Sequence, residues 1–169
     1  MYRSGYQPDQ PMNPEARRYV GDVDQMRPED GLMCWVDGPV KGPGPEPDGK
    51  PGLPKQPDGQ HLWVVTSEHV LHALEAGDFG KKRQAQAVKH TNLTGGGRAF
   101  VGGELVFLNK RTIAITGNSG RYRLRSGKEM AAIERAFVAS GYNVWSMGYN
   151  QETNRPNVFG LSDPEWVSP

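Results

Sequence analysis

From Gly38 to Gln60 the chain reads GPVKGPGPEPDGKPGLPKQPDGQ, with seven prolines and six glycines in one stretch. Proline withholds a backbone donor and clashes inside a helix, so this composition excludes helix and interior strand. The stretch is also longer than an ordinary connection between strands. Any fold the chain adopts must carry it as a long loop, either a mobile flap or an insertion held by a partner. Gly 22 and Pro 14 among 169 residues exceed average usage of about 12% for the two together. Much of that excess lies in this segment, which marks one long loop rather than a disordered chain.

The remainder is ordinary for one domain with a real core, at 169 residues and 36% hydrophobic. Lys+Arg 20 against Asp+Glu 19 leaves a formal net charge of +1, which argues against a dedicated nucleic-acid binder. A single cysteine, Cys34, excludes an intrachain disulfide and a thiolate zinc cluster. It sits in an apolar run, where a free cysteine is expected to act as a small buried hydrophobe. No apolar run approaches the ~18 residues of a membrane span, and no apolar signal core follows Met1. The expectation is a soluble protein without a signal peptide, cytoplasmic or delivered into a target cell.

Residues 1–18 are polar, with Pro8, Pro11 and Pro14, and read as an extended arm. A single β-rich domain is expected over 19–149, interrupted by the loop 38–60, and 150–169 as a polar tail with an anchor at Trp166. Tyr19–Val23 and Leu32–Val36 read as strands, with Asp37-Gly38 turning the chain after the second. His61–Thr66, His69–Leu74 and Ala87–Leu93 follow as strands, the last interrupted by Gly95-Gly96-Gly97. Phe100–Leu108 and Arg111–Thr116 flank Asn109-Lys110 as a hairpin, with Leu105, Phe107, Ile113 and Ile115 on one face. Ser126-Gly127-Lys128-Glu129 is a capping box, Met130, Ile133 and Phe137 recur at helical spacing, and Gly141 stops the helix. Tyr142–Met147 returns as a strand. The predicted class is α+β: a mostly antiparallel sheet or partly closed barrel with one well-defined packed helix.

Phosphate loops of the GxxxxGK[ST] type, HExxH, GxSxG and CxxC are all absent. The four histidines, His61, His69, His72 and His90, form no convincing metal set, and no metal site is expected. The glycine run Gly95-Gly96-Gly97 is a weak phosphate-cradle signal and reads first as a bulge or bend between strands. Arg121-Tyr122-Arg123-Leu124-Arg125 would, as a strand, place three guanidinium groups on one face and Tyr122 on the other. That is either an anion-binding strip with a stacking face or a solvated edge that discourages strand association.

The ordered series resembles a family that includes the globular domain of plant IQ-motif calmodulin-binding proteins, fungal relatives, and C-terminal toxin or effector domains of bacteria. Tyr19–Val23 and Leu32–Gly38 look like its opening strands, and Leu62–Ser67 with His69–Leu74 looks like its aromatic strand and partner. His90–Gly95 stands where the family has HSSFLAG, Gly102–Leu105 where it has AGEL, and Ser119–Arg123 where it has SGHYR. Thr91 and Asn92 replace two serines, Arg121 replaces a histidine, and Leu124 stands where proline is usual. The basic calmodulin-binding segment of the plant proteins has no counterpart in this chain.

The resemblance implies a shared polar site built from His90, Asn92, Glu104, Ser119 and Tyr122. Such a set suits NAD: His90, Asn92, Ser119, Arg121, Arg123 and Tyr122 as binding groups, and Glu104, His90 and Tyr122 as catalytic groups. By this analogy of residue types, the first expectation is a bacterial toxin or effector-type enzyme, an NAD-dependent ADP-ribosyltransferase modifying a protein or nucleotide target. The alternative is a non-enzymatic binding module, or a structural component of a virion or secretion assembly. In either case, a protein target or an immunity or assembly partner would be engaged through the N-terminal arm and loop 38–60.

Overall fold

A computed structural model describes residues 12–14, 19–36 and 46–169. The Asp37-Gly38 turn, the first part of the Pro-rich loop and most of the N-terminal arm lie outside the described residues.

The α+β class holds. Seven strands form one sheet in the order β1-β3-β2-β4-β5-β6-β9 among the described residues. They are β1 (Met33–Cys34), β2 (His61–Val65), β3 (Val70–Leu74), β4 (Val101–Phe107), β5 (Thr112–Thr116), β6 (Asn143–Ser146) and β9 (Glu165–Trp166). The sheet stays open, with β1 and β9 at its edges, rather than closing into a barrel. It is mixed rather than purely antiparallel: β5 and β6 are parallel because helix α3 (Gly127–Ala139) carries the chain between them. Strands β7 (Tyr149–Asn150) and β8 (Arg155–Pro156) form a separate ribbon. Two short helices, α1 (Asp78–Lys81) and α2 (His90–Thr94), accompany the long one. No helix among the described residues is long and apolar enough to cross a membrane.

Period-2 alternation places side chains on the two faces. Trp63, Val65, Val101, Leu105, Ile113 and Ile115 pack with Met130, Ile133 and Phe137 of α3. Helix α3 starts as its sequence predicts, because the Ser126 hydroxyl accepts the Glu129 amide at 3.1 Å. The Glu129 carboxylate reaches one residue further back than expected, accepting from the Arg125 amide. The opposite face buries Leu62, Val64, Val88, Leu93 and Tyr122 beneath the α1–α2 region. A third cluster, around Trp145, Met147 and Phe159, receives Leu53 from the Pro-rich segment and Trp166 from the C-terminal segment. Trp166 anchors that segment by packing edge-on against Trp145.

Five local expectations are corrected. Tyr19–Val23 is a turn, because Gly21 has φ +90° and the Asp22 carboxylate accepts the Tyr19 amide at 3.1 Å. The predicted strand ending at Leu93 is instead helix α2 from His90 onward. Asn92 caps it by accepting the Lys89 amide at 2.8 Å, and Gly95 ends it at φ +65°. The glycine run is therefore a helix stop rather than a strand bend. Arg121–Arg125 is not a strand: the Ser119 hydroxyl accepts both the Arg121 and Tyr122 amides and turns the chain there. Cys34 is exposed, because β1 is a two-residue edge strand with both side chains open.

Candidate functional site

Strand β4 turns Gly102 and Glu104 toward the α2 face, while its neighbours Val101 and Leu105 point into the α3 core. Glycine is required at 102: a Cβ there would sit 2.9 Å from His90 Cδ2 and 3.0 Å from Ser119 Oγ. This close approach brings α2, β4 and the Ser119 turn around one cleft of about 390 Å³. His90, Glu104, Ser119, Arg121 and Arg123 line it together.

Among the described residues, Glu104 is held by neutral donors only. Its Oε1 accepts from the Thr116 hydroxyl at 3.1 Å and the Asn118 amide at 3.3 Å, and its Oε2 accepts from the Gln60 amide at 3.1 Å. Burial pushes its pKa up, with nearby Glu75 acting in the same direction against these hydrogen bonds. The same Gln60 nitrogen also donates to Glu75 Oε2 at 3.1 Å, so one amide bridges two carboxylates on the cleft wall.

His90 is buried and its Nε2 lies 2.8 Å from the Gly103 carbonyl. A carbonyl only accepts, so Nε2 carries the proton and Nδ1 is the ring's acceptor. Desolvation lowers the His90 pKa to about 4, with the charges of Arg121 and Lys89 adding to it against the Gly103 bond. The ring is neutral near pH 7.

Arg121 is turned inward. Its Nη2 donates to Asp22 Oδ2 at 2.6 Å in a buried ion pair, while Nη1 is buried without a hydrogen-bond partner among the described residues. Arg123 is exposed on the cleft rim.

Two expected ligand groups are structural instead. Tyr122 is fully buried, and its hydroxyl donates to the Gly97 carbonyl at 2.6 Å and lies 2.7 Å from the Thr94 hydroxyl. It therefore presents no stacking face to a ligand. Asn92 spends its amide on the carbonyls of Gly21, Asp22 and Asp24, tying α2 to the N-terminal turn.

Tyr19, Glu75 and Lys89 also line the cleft, and sequence reasoning did not place them there. Tyr19 is exposed, with Lys89 Nζ 5.6 Å from its ring centroid. From the sequence, Tyr19 entered only as the first residue of the expected strand Tyr19–Val23.

Histidines 61 and 72 meet elsewhere on the sheet, with their Nδ1 atoms 3.0 Å apart beside Phe107. Burial, and then His61, lower the His72 pKa to about 4. Among the described residues no three His, Cys, Asp or Glu side chains gather as a metal ion would need.

No family model, curated protein or solved structure matches this chain.

Proposed function

We propose that the cleft binds NAD and transfers ADP-ribose to a target nucleophile, as a bacterial toxin or effector-type enzyme would. The observation that carries this reading is Glu104: a desolvated carboxylate on a cleft wall, hydrogen-bonded by three neutral donors and paired with no cation among the described residues. Arg121, which lines the same cleft, is committed to Asp22 instead. Such a carboxylate favours a cation, and the nicotinamide–ribose bond develops an oxocarbenium-like cation as it breaks.

The bonding electron pair leaves with nicotinamide, which becomes neutral. The target nucleophile bonds to the ribose carbon, and its proton passes to Glu104. His90 Nδ1 accepts a ribose hydroxyl, Tyr19 takes over the stacking role first given to Tyr122, and Arg123 and Lys89 meet the diphosphate. The cleft's volume lies near the lower end of ligand sites, which run from about 300 to 1,000 Å³, and matches the nicotinamide half of the dinucleotide.

The test is calorimetric NAD titration alongside a transfer or hydrolysis assay. Wild-type protein is expected to bind NAD, and Glu104→Gln is expected to keep binding while losing about 10²–10³ in rate. Absence of NAD binding at millimolar ligand overturns the proposal. Binding without turnover, unchanged by Glu104→Gln, would replace it with the non-enzymatic binding module.

A further inference from the structure

A second depression of about 300 Å³ lies on the other side of the Asn118–Gly120 turn and shares that turn and Arg123 with the first cleft. Its chemistry differs. The first cleft carries Glu75 and Glu104, whereas the second is lined by no carboxylate. Arg123 and Arg155 stand over it, both exposed, and neither side chain has a hydrogen-bond or ion-pair partner among the described residues. The amides of Ser119 and Gly120 likewise donate to no other described residue. Asn154 accepts from the Tyr149 hydroxyl through Oδ1, which leaves its amide nitrogen as a donor at the rim. Leu124, Pro156 and Val158 supply an apolar wall.

Two unpaired guanidinium groups and unsatisfied N–H donors make a concave anion site, and the planar guanidinium fork suits a phosphate in particular. An apolar wall next to a phosphate site matches the body of a nucleotide rather than a free inorganic ion. We infer that the second depression binds a phosphate ester of nucleotide size. Two sources supply that chemistry: the adenylate half of a dinucleotide whose other half occupies the first cleft, or a separate phosphorylated acceptor. The first source rests on the reading of the first cleft as an NAD site; the phosphate-ester site itself does not.

The experiment is amide NMR titration of the full chain with AMP, with inorganic phosphate, and with NAD. AMP is expected to shift Gly117, Gly120, Asn154 and Val158, and Arg155→Ala is expected to weaken AMP about tenfold or more, the loss of one charge-assisted contact. Arg155 is exposed on a two-residue strand, so its replacement leaves the core intact, which an unchanged spectrum elsewhere checks. If NAD displaces AMP, the source is the dinucleotide; if AMP binds protein already loaded with NAD, it is a separate acceptor. Shifts from AMP without any NAD response at Val88 and Lys89 would sink the first-cleft reading and leave this one standing. The inference is overturned if millimolar AMP shifts none of these amides, or if Arg155→Ala and Arg123→Ala both leave the affinity unchanged. AMP binding no tighter than inorganic phosphate would remove the role given to Leu124, Pro156 and Val158.

Discussion

The two faces of the sheet are built from the same strands by different physics. On the α3 face, Trp63, Leu105, Ile113, Ile133 and Phe137 interlock mainly by packing, with the Trp63 indole also donating to the Glu104 carbonyl at 3.0 Å. On the α2 face the apolar residues are threaded with His90, Asn92, Asp22, Arg121 and Glu104, and each polar group is placed by its hydrogen bonds. Strand β4 serves both, with Val101 and Leu105 on one side and Gly102 and Glu104 on the other. A face that supplies bulk stability leaves the other free to hold desolvated charge. Two of the three buried unpartnered side-chain atoms found among the described residues, Gln60 Oε1 and Arg121 Nη1, belong to residues of the α2-side network.

The largest effect that would sharpen this contrast is Phe137→Ala. Phe137 is fully buried and meets both Trp63 and Trp35 edge-on, so truncation should cost about 3–5 kcal/mol in denaturant unfolding. A loss below about 1 kcal/mol would break the claim that this face carries the stability.

The pH dependence comes next. His72 and His90 both have pKa values lowered to about 4 from 6.5, so the unfolded chain binds more protons than the folded one between those values. Stability therefore falls as pH drops from about 6.5 to about 4, by roughly 3 kcal/mol per histidine. Glu104, shifted upward, acts with the opposite sign: it favours the folded state at low pH and loses that contribution as pH rises through its folded value. Urea unfolding across this range checks the slope, and His72→Gln should remove about half of the histidine effect. An unchanged slope in that variant would contradict the burial of neutral histidine.

The smallest effect is that of Tyr122→Phe. It removes the hydroxyl's bonds to Gly97 and Thr94 while keeping the ring, at a cost of about 1–2 kcal/mol. Affinity for any cleft ligand should stay within about twofold, since the ring is enclosed. A large affinity loss with unchanged stability would restore Tyr122 to the ligand and erase the distinction between its role and that of Tyr19.

The sequence alone determined the elements whose signals are local and repeated. The Ser126 cap, the spacing of Met130, Ile133 and Phe137, and the alternation across β4 and β5 each follow from a period and a terminator. These fixed the α+β class and the β4–β5 hairpin; of the residues the resemblance implied for one site, His90, Glu104, Ser119, Arg121 and Arg123 line one cleft, whereas Asn92 and Tyr122 do not. Tertiary structure decided the rest. Five residues from His90 to Thr94 are too few to show a helical period, so the Asn92 cap and the Gly95 stop settle α2 only in the folded chain. Arg121 and Arg123 have the same local appearance, with Tyr122 between them. Which of them turns inward depends on Asp22, 99 residues away, and on the Gly97 carbonyl. Whether a polar side chain faces a ligand or satisfies the core depends on partners distant in sequence, and a one-dimensional pattern does not encode those.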